Sequence, residues 1–177
     1  TTGKSTPAAK TEAVFNWVRD KVTLLEGPDI ARGGTRDFEE IVRSKEATEV
    51  EKVMLMGAIL EKLEVEATVA AVRRSALGDF DHGWPSIRQI SDIAVRTVED
   101  GQIRYWAPQC SACGPGEVPD SWKGAQVATF DFATIEVAEK FQEELRNQAM
   151  VEGQLDIATT QAQVEAQPWT IFERIPE

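Results

Sequence analysis

The chain has 177 residues, 42% hydrophobic and 28% charged, with a formal net charge of −11. That length supports one sizeable core without metals or disulfides. The acidic balance argues against nucleic acid as a partner, because such binding needs Lys and Arg to displace counterions, and against an anionic membrane surface. No run approaches the ~20 apolar residues of a membrane-spanning helix.

Residues 1–10, TTGKSTPAAK, are small and polar and read as a linker or boundary segment. From Thr11, a plausible cap, TEAVFNWVRDKVTLL sets Val14, Trp17, Val18 and Val22 at helical spacing, with Trp17 in the expected core. Pro28, Gly33 and Gly34 break the pattern. DFEEIVRSKEA allows a short helix carrying Phe38, Ile41 and Val42. Thr48 then stands three residues before Glu51, a capping box that makes Glu49 the first residue of the next helix. In that helix Val50, Val53, Met54, Met56, Ile59, Leu60 and Leu63 cover more than one stripe, which predicts a central position.

Beyond it the period changes. EATVAAVRRS, DIAVRTVED and GQIRYW predict strands, the last two joined by a tight Asp100-Gly101 turn, and AQVATFDFATI predicts another. VAEKFQEELRNQAM is helical in composition, and the tail GQLDIATTQAQVEAQPWTIFE alternates like a strand, as the possible start of a second domain. Helices followed by antiparallel strands predict an α+β fold. Trp84, Trp122 and Trp169 stand beside Pro or polar turns and are candidates for partly exposed, binding aromatics. Cys110 and Cys113 form a C-x-x-C. Two thiols and one distant His82 fall short of the four ligands of a structural zinc site, and Gly114-Pro115-Gly116 denies the motif the helix that a thioredoxin-like pair needs.

The segments AVFNWVRDKV, DFEEIVRSKEATEVEKVMLMGAILEKLEVEATVAAVRR and PSIRQISDIAVRTVEDGQIRYWAPQCSACGPGEVP together resemble a transglutaminase-like domain of the bacterial envelope subgroup. The likeness runs from about Glu12 to about Val127, and order and spacing carry it. It implies a papain-like α+β scaffold over residues 11–133, a central helix packed on an antiparallel sheet, with 134–177 as a C-terminal extension. It also implies a Cys nucleophile at the helix head, a His on the next strand and an orienting Asp on its neighbour. Here those positions carry Glu49, Asp92 and Ala107, and no Cys precedes residue 110. His82, ten residues upstream of Asp92, has no thiol to serve.

The resemblance therefore implies a catalytically inactive domain with no cofactor or metal, acting as an interaction or scaffolding module for a protein partner in the cell envelope. By the same likeness, CGPGEVP matches a place where the subgroup often has a Cys pair, which implies a Cys110–Cys113 loop staple and a periplasmic or cell-surface location. Two alternatives stay open. One is a hydrolase that reuses the cleft with Glu49 and Asp92 as acid and base; the other is thiol exchange by Cys110 and Cys113.

Overall fold

A computed structural model of the chain describes residues 6–25, 36–81, 89–130 and 170–177. The first helix, α1, spans Pro7–Lys21. It opens a turn before the expected Thr11 cap, so residues 7–10 are helical rather than linker. The reason is local: the Thr6 hydroxyl accepts the Ala9 N–H at 3.2 Å, and Pro7 sits where a helix needs no N–H. Thr11 is buried inside the helix, and its hydroxyl donates back to the Pro7 carbonyl.

Thr23–Leu24 (β1) and Glu46–Ala47 (β2) form a short parallel pair that the sequence pattern did not predict. Between them lies α2, Phe38–Ser44, capped by the Asp37 carboxylate on the Glu39 N–H. The central helix α3 spans Glu49–Lys62, and its residues from Glu51 to Gly57 are buried without a break, as expected of a helix covered on most sides.

Five antiparallel strands follow: β3 (Ala67–Arg73), β4 (Asp92–Glu99), β5 (Gln102–Trp106), β6 (Gln126–Phe130) and β7 (Thr170–Arg174). Their order across the sheet is β5-β4-β3-β6-β7. The Asp100-Gly101 turn between β4 and β5 has positive φ at both residues, the geometry that matches the twist of a two-residue hairpin. β7, from the C-terminal extension, pairs with β6 and so joins this same sheet. The helical pattern at 137–150 lies outside the described residues.

Side chains alternate between the two faces of the sheet. Val69, Val95 and Trp106 face α1 and α3 and join Val14, Phe15, Val18, Val53 and Met56 in the main core. Ala70, Val72, Ala94, Tyr105 and Val127 face the other way, against Trp122 and Ile175. Trp122 is thus buried, 2% exposed, and not the partly exposed aromatic expected. A 3-10 turn at Asp120–Trp122 inserts its indole where Ala70, Ala94, Ala107 and Ala125 leave room. Trp17 departs in the opposite sense and is 37% exposed. The buried stripe of α1 is Thr11, Val14, Phe15 and Val18, and Trp17 projects about 110° from its centre at 100° per residue. Trp84 and Trp169 lie outside the described residues, as does His82.

Candidate functional site

α3 and β3 run in opposite directions, so the head of α3 lies at the sheet end where β3 finishes, β4 begins and β5 finishes. The three positions singled out by the sequence fall at that end of the sheet, with Ala107 turned to the face away from α3. Glu49 is the first residue of α3 and is exposed. Asp92 opens β4 opposite Val72. Ala107 follows β5 and is fully buried among Ala94 and Trp122. Gln109 ties this end together by donating its side-chain N–H to the Ile93 carbonyl at 2.7 Å.

A residue that the sequence reading passed over organises the cluster. Arg74, just past β3, donates from Nε and Nη2 to the two oxygens of Asp92 at 2.6 and 2.5 Å. These hydrogen bonds and the Asp92 charge, with a smaller contribution from Glu49, raise the Arg74 pKa. Arg74 is 44% exposed and Asp92 12%, so the pair sits at the lip of the site. The doubled arginine RR after an apolar strand was visible in the sequence, but nothing local assigns it to a carboxylate eighteen residues away.

Directly behind Glu49, Glu51 is buried and fully engaged. Arg36 bonds both of its oxygens, at 3.0 and 2.8 Å, and the backbone N–H groups of Thr48 and Arg36 donate to them as well. Burial pushes this carboxyl up, but the Arg36 guanidinium and the two N–H donors outweigh it and hold it at about 2. Lys52, one residue on, is also buried and donates to the Arg19 carbonyl at 3.3 Å. Burial brings its ammonium down to about 8, with Arg19 adding to the effect and Asp20 opposing it.

On the opposite face of the sheet, Arg96 bonds Glu173 through two contacts at 2.8 and 2.7 Å, and the Tyr105 hydroxyl donates to the same carboxylate at 2.7 Å. In a flat sheet Arg96 and Glu173 would stand about 19 Å apart, three strand spacings across and four residues along. The contact therefore requires the sheet to curl. The Arg96 bond holds the Glu173 carboxyl down, and burial with the neighbouring carboxylate pushes the Tyr105 phenol up.

The staple is closed: Cys110 and Cys113 form a disulfide. Its loop is tied to α1 by Arg19, which donates to the Cys113 carbonyl at 2.9 Å. Beside the loop runs a groove of about 800 Å³. Among the described residues no group of three or more His, Cys, Asp and Glu could hold a metal ion, and no described helix is long and apolar enough to cross a membrane.

No family model matches the chain, and no curated protein is significantly similar to it. Among solved structures, the crystal structure of a putative protease from Parabacteroides distasonis ATCC 8503 is similar, with a TM-score of 0.58 and 19% identity. The match covers 71% of this chain and 23% of that one, so this chain spans less than a quarter of its length. The likeness is one of fold. It agrees with the α+β, papain-like arrangement that the described residues form, three helices on a curled five-stranded sheet.

Proposed function

We propose that this chain is a catalytically inactive, transglutaminase-like domain of a larger bacterial envelope protein and that it works by binding a protein partner. The observation that carries the reading is the Arg74–Asp92 pair. The carboxylate at the position of the family's base gives both oxygens to a guanidinium. A general base must take a proton within hydrogen-bond reach, so Asp92 would first have to release Arg74.

Three features support the same reading. Glu49 puts a carboxylate where the family has its thiol nucleophile, at a helix N-terminus that suits a resident negative charge. Ala107 offers a buried methyl where an orienting carboxylate would stand. Both sulfurs are spent in the Cys110–Cys113 bridge, which also supports a periplasmic or cell-surface location. A hydrolase is the second reading. It is favoured by the gathering of Glu49 and Asp92 about Arg74 and by the protease description of the similar structure.

The test is to incubate the purified chain with a mixed peptide pool and follow the products by mass spectrometry, alongside Glu49→Gln and Asp92→Asn. The inactive reading expects all three proteins to leave the pool unchanged. Cleavage by the wild type that both substitutions abolish would overturn it in favour of the hydrolase.

A further inference from the structure

β5 is the outermost strand on one side of the sheet. β4 pairs with one of its edges, and no described residue bonds the other. The Asp100-Gly101 turn fixes which groups that free edge presents. In a two-residue hairpin the flanking pair, Glu99 and Gln102, exchanges both N–H···O bonds. Arg104 and Trp106 then also bond inward to β4, and the N–H and C=O groups of Ile103 and Tyr105 point outward. Donors and acceptors in line at two-residue spacing are a template for another strand. Such edges are usually blunted by a proline, a bulge or a charge. Residues 102–106 contain no proline, their register with β4 is unbroken, their one charge, Arg104, stands 3.8 Å from Glu99 of β4, and Ile103 is an apolar side chain 44% exposed.

The groove of about 800 Å³ lies alongside this edge, lined by Ile103, the Cys110–Cys113 bridge, Pro115, Val118 and Pro119. Its two cationic side chains already have acids beside them: Arg104 is 3.8 Å from Glu99, and Lys123 is 2.7 Å from Asp120. What remains in the lining is acidic, in the exposed Glu117, on a chain of net charge −11. An occupant matched to this surface is extended, apolar on one face and basic on the other.

We propose that the β5 edge takes up an extended, basic segment of a partner protein as a sixth strand, with its alternate apolar side chains in the disulfide-walled groove. The proposal rests on the binding-module reading and names its kind of partner. Backbone bonds to Ile103 and Tyr105 supply affinity, and the groove and its acidic lining supply selectivity.

The probe is a fluorescent eight-residue peptide alternating Val and Lys, titrated into the whole chain and followed by anisotropy. Saturable binding is expected, weakened by about tenfold or more when alternate peptide amides are N-methylated or when Lys is replaced by Glu. Ile103→Pro, which removes an outward N–H and no bond to β4, should weaken it similarly. The methylated peptide tests the same bonds with the protein untouched, should that variant fold poorly. No saturable binding at millimolar peptide, equal binding of the methylated peptide, or equal binding of the acidic peptide would each overturn the proposal. Mass spectrometry of the same mixtures separates the two ideas. An intact, unbound peptide sinks the strand-addition proposal alone, whereas a cleaved peptide sinks the inactive reading.

Discussion

Replacing Glu51 by alanine removes one partner from a pair whose carboxylate is 2% exposed, leaves the Arg36 guanidinium with the Glu46 carbonyl but no carboxylate, and strips the cap from the Thr48 N–H. Cutting a buried ion pair from one side costs about 3–5 kcal/mol. Arg36 is 24% exposed and can regain water, which places the cost near the lower figure. Proton linkage gives a second route to the magnitude. A carboxyl held at about 2 instead of 4.5 contributes about 3 kcal/mol at neutral pH. The sign follows from the direction: the folded pKa is depressed, so the contribution is full above 4.5 and lost as pH falls from there towards 2. In urea, with a slope of about 2 kcal/mol per molar, Glu51→Ala should lower the unfolding midpoint by about 1.5 M at pH 7. Glu51→Gln, which can still accept the Thr48 N–H, should lose less, and its deficit against the wild type should shrink between pH 5 and 2. A midpoint for Glu51→Ala within about 0.3 M of wild type, or a deficit that does not change with pH, would refute the reasoning.

Lys52 should behave in the opposite sense. With its folded pKa near 8 rather than 10.5, burial of the ammonium opposes folding below pH 8, and stability should rise between 8 and 10.5. Lys52→Met should therefore raise the melting temperature at pH 7, by about 1–3 kcal/mol of stability, and lose that advantage by pH 10.5; paired thermal melts read both. Tyr105→Phe removes one hydrogen bond from the Arg96–Glu173 network and should cost about 1–2 kcal/mol, measured by urea denaturation. Arg74→Ala, which cuts a pair at the lip of the site, should change stability by no more than about 1 kcal/mol in the same assay. Reducing the Cys110–Cys113 bridge should cost only about 2 kcal/mol, because the loop it closes is short, and calorimetry with and without a dithiol tests this.

What the sequence made legible was local. The Thr48/Glu51 capping box forms as read, with both reciprocal bonds present, because its two residues are three apart and the helix geometry alone brings them together. The Asp100-Gly101 hairpin and the strands on either side of it are local in the same way. Long-range partners were not legible. Nothing near Glu51 signals Arg36, which approaches ahead of α2, and nothing near Arg96 signals Glu173, 77 residues away. The tryptophans show why periodicity runs out. Helical spacing identified an apolar stripe on α1 but not its width, so Trp17 was assigned to the core, whereas Trp122 is buried by alanines on strands far from it in sequence. At the candidate site, the positions of Glu49, Asp92 and Ala107 came from a resemblance, while Arg74, which bonds Asp92, followed from no local pattern.

The order of strands across the sheet also bears on how it assembles. Glu99 meets Gln102 across a two-residue turn, but Thr129 meets Thr170 only after 41 residues of intervening separation have been closed. Closing the longer span costs about 2 kcal/mol more in chain entropy, so β4 and β5 can pair early while β7 waits for the rest of the sheet to present β6. On that ordering the bonds that Glu173 accepts from Arg96 and Tyr105 are expected to form late, with φ-values near zero at Glu173 as the check. Their energy adds little to the speed of folding and mostly to the height of the barrier against unfolding. On this ordering, the last strand to arrive is the one expected to govern how long the folded domain lasts.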